Sequence, residues 1–299
     1  MAKTRIEWAE VVWNPITGCT PISEGCQNCY AKRMSKRIAG RCGYPADDPF
    51  RVTLHPDRLG EPLRWKKSRR VFVCSMGDLF HDDVPDEYVA KVWEVMNNAN
   101  QHTFMVLTKR PKRMKEFLSR LGWYTHDRET NPAEAVLDEG GKYTLPNVWL
   151  GVTAENQKAA DERIPILLQI PAAVRFVSIE PMLGPVVIPE EWPDWVICGG
   201  ETGPGARPMH PDWVRSLRDQ CQDAGVPFFF KSWGEWVPVY EGGVHLGDIC
   251  MSKDGFVDTA GKDYVCFANE SDGTHMRKVG KKKVGRMLDG RTWDEIPEL

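Results

Sequence analysis

No apolar run in this 299-residue chain approaches the roughly 18 residues that span a bilayer. The opening MAKTRIEWAE has neither the basic start nor the apolar stretch of a secretory signal. The chain is therefore expected in the cytoplasm, with no membrane partner. Strong net charge is also missing: 39 Lys and Arg against 42 Asp and Glu leave −3, so nothing draws the whole molecule to nucleic acid. There is no internal repeat and no long low-complexity tract, which excludes solenoids and fibrous arrays. A second Cys-x-x-Cys and a closely spaced His pair are absent, and either would have marked a zinc site. Disulfides are not needed, because 41% hydrophobic residues over this length bury one large core or two smaller ones. In a reducing compartment, close cysteines among the nine point to metal binding or chemistry.

What is present is an alternation of short Val-, Ile- and Phe-rich runs with helical or loop segments, the pattern of βα units around a parallel sheet. Eight runs qualify: Val11 to Trp13, Arg51 to His55, Val71 to Ser75, Phe104 to Thr108, Val148 to Thr153, Arg175 to Ile179, Trp195 to Cys198 and Pro227 to Lys231. Helices are predicted over Tyr30 to Ile38, Asp86 to Ala99, Lys112 to Leu121, Glu155 to Ile170 despite Pro165, and Pro211 to Ala224. The fold class expected is α/β, a complete or nearly complete (β/α)8 TIM-like barrel over residues 1–236. From Val237 the alternation fades. Residues 237–299 read as an appendage packed on the barrel, with a small β unit around Tyr264 to Ala268 and a helical tail.

Polar residues follow the apolar runs, where a parallel barrel gathers its functional loops. These are Ser75 to Asp78, Thr108 to Pro111, Thr153 to Asn156, Glu180-Pro181, Gly199 to Thr202 and Lys231 to Gly234. Together they predict a polar cup at one mouth, although single Asp or Thr residues there also serve as helix caps.

After the first run comes Gly18-Cys19-Thr-Pro-Ile-Ser-Glu-Gly-Cys26-Gln-Asn-Cys29-Tyr30, three thiols within eleven residues in a loop with Gly and Pro. Three thiolates can ligate three irons of a [4Fe–4S] cluster and leave the fourth iron open to a small molecule. Zinc is the competing metal, with His55, His81 or a remote cysteine completing a tetrahedron, and free thiols are the remaining reading. Cys42, Cys74, Cys198, Cys221, Cys250 and Cys266 are isolated in sequence, and Cys74 and Cys198 lie in apolar runs as core residues.

The segments GCTPISEGCQNCYA, VFVCSMGDLFHDDVP, FMVLTKRP, VWLGVTAEN, RFVSIEPMLGPV and WVICGGETGPGARPMHPDWVRSLRDQC, with the tail GRMLDGRTWDEIP, resemble the phage Gp37/Gp68 family, also called the three-Cys-motif proteins. The resemblance covers nearly the whole chain. That family is regarded as a divergent relative of the radical S-adenosylmethionine enzymes, so the resemblance implies a [4Fe–4S] cluster on Cys19, Cys26 and Cys29 and S-adenosylmethionine as second cofactor. The spacing here is C-x6-C-x2-C, against C-x3-C-x2-C in the usual radical motif. Asn28 replaces the usual aromatic residue before the third cysteine, and Tyr30 becomes the candidate to stack on adenine. The Gly199 to Glu201 triplet is similar to the motif that holds the methionine amino group, but it follows a late run, and that role is not carried over to it.

The activity so implied is reductive cleavage of S-adenosylmethionine to a 5′-deoxyadenosyl radical that takes a hydrogen from substrate. A reductant protein or small electron donor is then a required partner. Lys109 and Thr108 are candidates for the methionine carboxylate and resemble the Thr-Lys pair of spore photoproduct lyase. Ser75, Asp78, Thr153 and Glu155 are candidates for ribose or methionine, and Glu180, Glu201 and Lys231 for substrate, with a Glu180–Lys231 salt bridge as the plain alternative. Nucleic acid or a nucleotide is the leading substrate class. The phage distribution of the family, the stretch Lys109 to Lys115 with Arg110, Lys112 and Arg113, and Lys281 to Lys283 in the tail suit it. Two other functions remain: a metal-stabilised nucleic-acid-binding protein without catalysis, and a zinc-dependent barrel hydrolase using Asp78, Glu180 and Glu201.

Overall fold

The computed structural model describes residues 4, 6–125, 136–137, 143–239, 245, 247–259 and 273–298. Seven strands make the main sheet: β1 (Val11–Trp13), β2 (Arg70–Val73), β3 (Thr103–Thr108), β4 (Val148–Thr153), β5 (Val174–Ile179), β6 (Trp195–Gly199) and β7 (Phe228–Ser232). They lie side by side in chain order as a parallel sheet. The sequence explains their burial. All six residues of β4, VWLGVT, and all five of β6, WVICG, are buried, as strands covered on both faces require.

The sheet is an open half-barrel with β1 and β7 at its edges, which corrects the expected complete or nearly complete (β/α)8 barrel. Two segments account for the difference. In Arg51 to His55 only Thr53–Leu54 is strand, and it pairs antiparallel with Ile16–Thr17 outside the main sheet. Its polar–apolar alternation suits a partly exposed ribbon, not a strand buried on both faces. At the other edge, Phe230 N–H donates to Trp293 O (2.9 Å) and Phe229 bridges Asp294 antiparallel, so the C-terminal tail occupies β7. Covering an edge in this way removes a site of unwanted strand pairing.

Helices form close to where the sequence places them: α1 (Tyr30–Arg37), α2 (Asp86–Asn98), α3 (Pro111–Thr125), α4 (Gln157–Leu168) and α5 (Pro211–Asp223). In α2 the acidic Asp86 and Glu87 occupy the first turn, and Tyr88, Val89, Val92, Trp93 and Met96 face the core at helical spacing. In α5, Pro211 starts the helix and His210 Nδ1 accepts from Asp212 N–H (3.1 Å).

By packing, the chain divides into two compact units. The first comprises Met1–Ile22, Cys29–Thr153 and Arg163–Phe176, and the second Ser23–Asn28, Ala154–Glu162 and Val177–Leu299. In the first, β1 pairs β2, β2 pairs β3 and β3 pairs β4. The second contains the β6–β7 pair and an antiparallel sheet of β8 (Trp236–Pro238), β9 (Ile249–Met251), β10 (Val257–Thr259) and β11 (Thr274–Lys278), in the order β8-β11-β9-β10. Cys250 in β9 is disulfide-bonded, where the sequence alone leaves it an isolated cysteine. After β11 the tail runs through turns and isolated bridges where a helix was expected. The β unit expected at Tyr264 to Ala268 lies outside the described residues. Among the described residues no helix is long and apolar enough to cross a membrane.

Candidate functional site

In the first unit the loop after β1 is fixed before it reaches its first cysteine. Gly18 N–H donates to Met76 O (2.9 Å), and Cys19 N–H to Phe50 O (3.1 Å). Gly18 has φ +85°, and a Cβ there would strike the Arg51 carbonyl, so only glycine fits. Cys29 is the N-cap of α1 and packs against Ala31, Tyr44 and Met76. Its side chain makes no capping hydrogen bond to the first helical turn.

The ends of β2 and β3 converge through Asp78. Its Oδ1 accepts from Thr108 Oγ1 (2.7 Å) and Phe80 N–H (3.0 Å), and its Oδ2 from Lys109 N–H (3.3 Å) and Arg110 Nη1 (3.0 Å). The same Nη1 lies 3.4 Å from Cys19 Sγ, while Nη2 donates to Thr20 O (3.2 Å) and Thr20 Oγ1 (3.1 Å). Burial opposes the charge of Arg110, but Asp78 and the Cys19 sulfur outweigh it and raise the guanidinium pKa. His81 Nε2 reaches Thr20 Oγ1 (2.8 Å), and burial followed by the charge of Arg110 lowers the pKa of that imidazole. Tyr30 is exposed and its hydroxyl donates to Ser75 O (2.6 Å), while Ser75 Oγ donates to Asn14 Oδ1 (3.2 Å). Thr153 is buried at the end of β4, and its carbonyl accepts from Arg163 (2.7 Å). The Lys109 ammonium makes no ion pair among the described residues.

The second unit holds Cys26 in a short 3-10 turn, Glu24–Cys26. Glu201, only 5% exposed, is its anchor. Its Oε1 accepts from Arg207 Nη2 (2.7 Å), and its Oε2 from Arg207 N–H (2.8 Å), Arg207 Nε (2.9 Å) and Asn28 Nδ2 (2.9 Å). Arg207 also reaches Glu24 O (3.1 Å) and Gln27 Oε1 (3.3 Å), and Asn28 reaches Gly205 O (2.8 Å). Burial raises the Glu201 pKa, but these hydrogen bonds overcome it and hold the carboxyl below the usual glutamate value. Glu155, 1% exposed, lies against Gly25, where an added Cβ would come within 3.1 Å of the Glu155 carboxyl carbon. Glu180 pairs with Lys231 (3.0 Å), the plain alternative for these two residues. Gly199 makes room for that pair, since a Cβ would meet Glu180 Oε1 at 2.8 Å.

Cys19, Cys26 and Cys29 form no disulfide and are of intermediate exposure, Cys42 forms none and is exposed, and Cys74 and Cys198 are buried core residues. Among the described residues no three His, Cys, Asp or Glu side chains are grouped as ligands of one metal ion. A cavity of about 500 Å³ in the second unit is lined by Arg215, Trp233, Met287 and Asp289 among others, and by none of the site residues expected from sequence.

Sequence reasoning missed Arg207 and Thr20, and it noted Asn28 without foreseeing its hydrogen bonds to Glu201 and Gly205. Arg207 stands six residues after Glu201 in an irregular loop, so no periodicity links the two. Arg110 was noticed, but as a phosphate contact; its place directly after Thr108 and Lys109 was the available signal for an inward role.

The fold and site define an α/β protein with an open parallel sheet and a cysteine loop following its first strand. Residues 3–297 match the model of a protein family of unknown function, DUF5131, and the chain belongs to that family. No curated protein and no solved structure matches it.

Proposed function

We propose that this protein is a radical S-adenosylmethionine enzyme, as its resemblance to the phage Gp37/Gp68 family implies, with a [4Fe–4S] cluster held by Cys19, Cys26 and Cys29. The observation that carries the reading is that these three cysteines are outside any disulfide, partly exposed and close in sequence, on a loop fixed at Gly18, at Asn28 and at the start of α1. The donor set fits such a cluster by its chemistry, because three thiolates each take a different iron and need not converge on one ion. When bound, the cluster would supply the electron that cleaves S-adenosylmethionine to a 5′-deoxyadenosyl radical.

The chain's own residues then bind and orient. Lys109, with its ammonium unpaired among the described residues, would hold the methionine carboxylate while its backbone is fixed on Asp78. Exposed Tyr30, steadied by Ser75, would stack on adenine. Asp78 and Glu201 are engaged by Arg110 and Arg207, which suits positioning of the cysteine loop. Glu180 and Lys231 would meet substrate as a pair. With all three carboxylates tied to cations, a hydrolase would lack its free base. Nucleic acid or a nucleotide remains the proposed substrate class, supported by the exposure of Lys281, Lys282 and Lys283. Arg110 and Arg113 lend it less, since Arg113 is engaged by Asp86 (3.1 Å).

Anaerobic reconstitution tests the reading. About four iron and four sulfide per chain are expected, lost on Ala substitution of Cys19, Cys26 or Cys29 and kept in Cys42→Ala. The reduced protein should convert S-adenosylmethionine to 5′-deoxyadenosine and methionine. Stoichiometric zinc without iron, or a loaded protein inert to S-adenosylmethionine, overturns it.

A further inference from the structure

We propose that Arg110 is a positioning residue for the Cys19 thiolate and raises the reduction potential of the cluster that Cys19 would ligate. The inference rests on the reading that Cys19 is a cluster ligand, and it goes beyond it by assigning control of the electron-accepting step to one guanidinium.

The geometry is that of a fork spanning two consecutive residues. Nη1 sits 3.4 Å from Cys19 Sγ, and Nη2 donates to both oxygens of Thr20, so the side chain fixes the sulfur and the residue after it together. A lysine, a point charge on a flexible stem, does not supply two directed donors in this way. Arg110 is itself held from both ends. Its backbone N–H donates to Thr108 Oγ1 (2.9 Å) as the chain turns into Pro111, and its Nη1 is shared with Asp78 (3.0 Å). Asp78 is fixed independently by Thr108, Phe80 and Lys109. With the Arg110 side chain 8% exposed, water and salt screen its charge weakly.

The electronic consequence follows from charge. Taking up one electron adds negative charge to a cluster and its thiolates. A cationic donor beside one ligand sulfur stabilises the reduced form more than the oxidised form. Asp78 acts in the opposite sense, because its carboxylate shares the same Nη1 and offsets part of the charge that Cys19 feels. The pair therefore predicts two variants of opposite sign.

The test uses the full chain, reconstituted anaerobically, assayed for iron and sulfide, and titrated potentiometrically with dithionite as the one-electron reductant. Arg110→Gln should lower the midpoint potential by at least about 59 mV, a tenfold change in a one-electron equilibrium constant. Asp78→Asn should raise it, and Arg110→Lys should fall between wild type and Arg110→Gln. Iron content should stay at the wild-type level in those that fold. A purely structural role would instead lower iron content without moving the potential in opposite directions. If the wild-type chain holds no iron, the cluster reading fails and takes this inference with it. If it holds iron and Arg110→Gln leaves the potential unchanged, or both charge variants shift it the same way, the Arg110 assignment is overturned while the cluster reading stands. Should Arg110→Gln not fold, an Asp78→Asn protein without an upward shift overturns the assignment by itself.

Discussion

Arg207 and Glu201 show how much depends on single buried charges. Glu201 accepts four hydrogen bonds, three of them from Arg207. Arg207→Ala would leave a buried carboxylate without its cation and should cost about 3 kcal/mol in urea unfolding. Glu201→Gln leaves the cation of Arg207 instead, and because that side chain is 29% exposed water can solvate it, so the cost should be smaller. The Glu201 pKa is lowered in the folded state, so its contribution is present above the ordinary glutamate range and is lost as pH falls through the folded value. His55 gives a second acid-sensitive contribution. Burial, then the charge of Arg58, lowers its pKa from 6.5 to about 4, so the neutral ring is the folded form. The unfolded chain takes up a proton first as pH falls below 6.5, and stability should decline between there and about pH 4. The full shift corresponds to roughly 3 kcal/mol at most. Unfolding free energies measured from pH 7 to 4 should show this slope, and His55→Gln should flatten it.

Elements were largely legible in sequence because periodicity survives in them. Asp86 to Ala99 was expected as helix and α2 ends at Asn98; Pro211 to Ala224 was expected and α5 ends at Asp223. Arg51 to His55 was misassigned because a short run of mixed polarity does not say which partner it will pair with. The turn after α1 offers a test at this scale. Cys42 is exposed and has φ +50°, a conformation that costs a non-glycine residue roughly 1–2 kcal/mol. Cys42→Gly should therefore raise the denaturation midpoint, offset in part by the greater freedom of the unfolded chain. A fall in that midpoint would show that the side chain contributes something its exposure conceals.

For the whole molecule, the covered edge of β7 is the feature that matters most. Trp293 is buried beside Phe228 and donates from Nε1 to Leu288 O (3.2 Å), while Trp195 Nε1 donates to Glu295 O (2.8 Å). Trp293→Ala should cost about 3–5 kcal/mol and free the β7 edge, seen as a lower midpoint and increased light scattering. The neighbouring Lys281 to Lys283 are exposed, so their triple Ala variant should keep the fold. If they contact nucleic acid, that variant should show a shallower salt dependence of binding than the intact chain. Equal slopes would remove these lysines from substrate recognition.

The sequence by itself determined the alternation of strands and helices, the short spacing of Cys19, Cys26 and Cys29 along the chain, and the burial of Cys74 and Cys198, because each is encoded within a few neighbouring residues. Only the tertiary structure decided that the sheet stays open, since that depends on the tail reaching β7 some sixty residues later in the chain. It also decided that Arg110 turns to Cys19 and Asp78, that Arg207 closes on Glu201, and that Cys250 is disulfide-bonded. Charged partners are chosen by distance in space and by what burial leaves unpaired, and neither quantity is written in the spacing of residues along the chain.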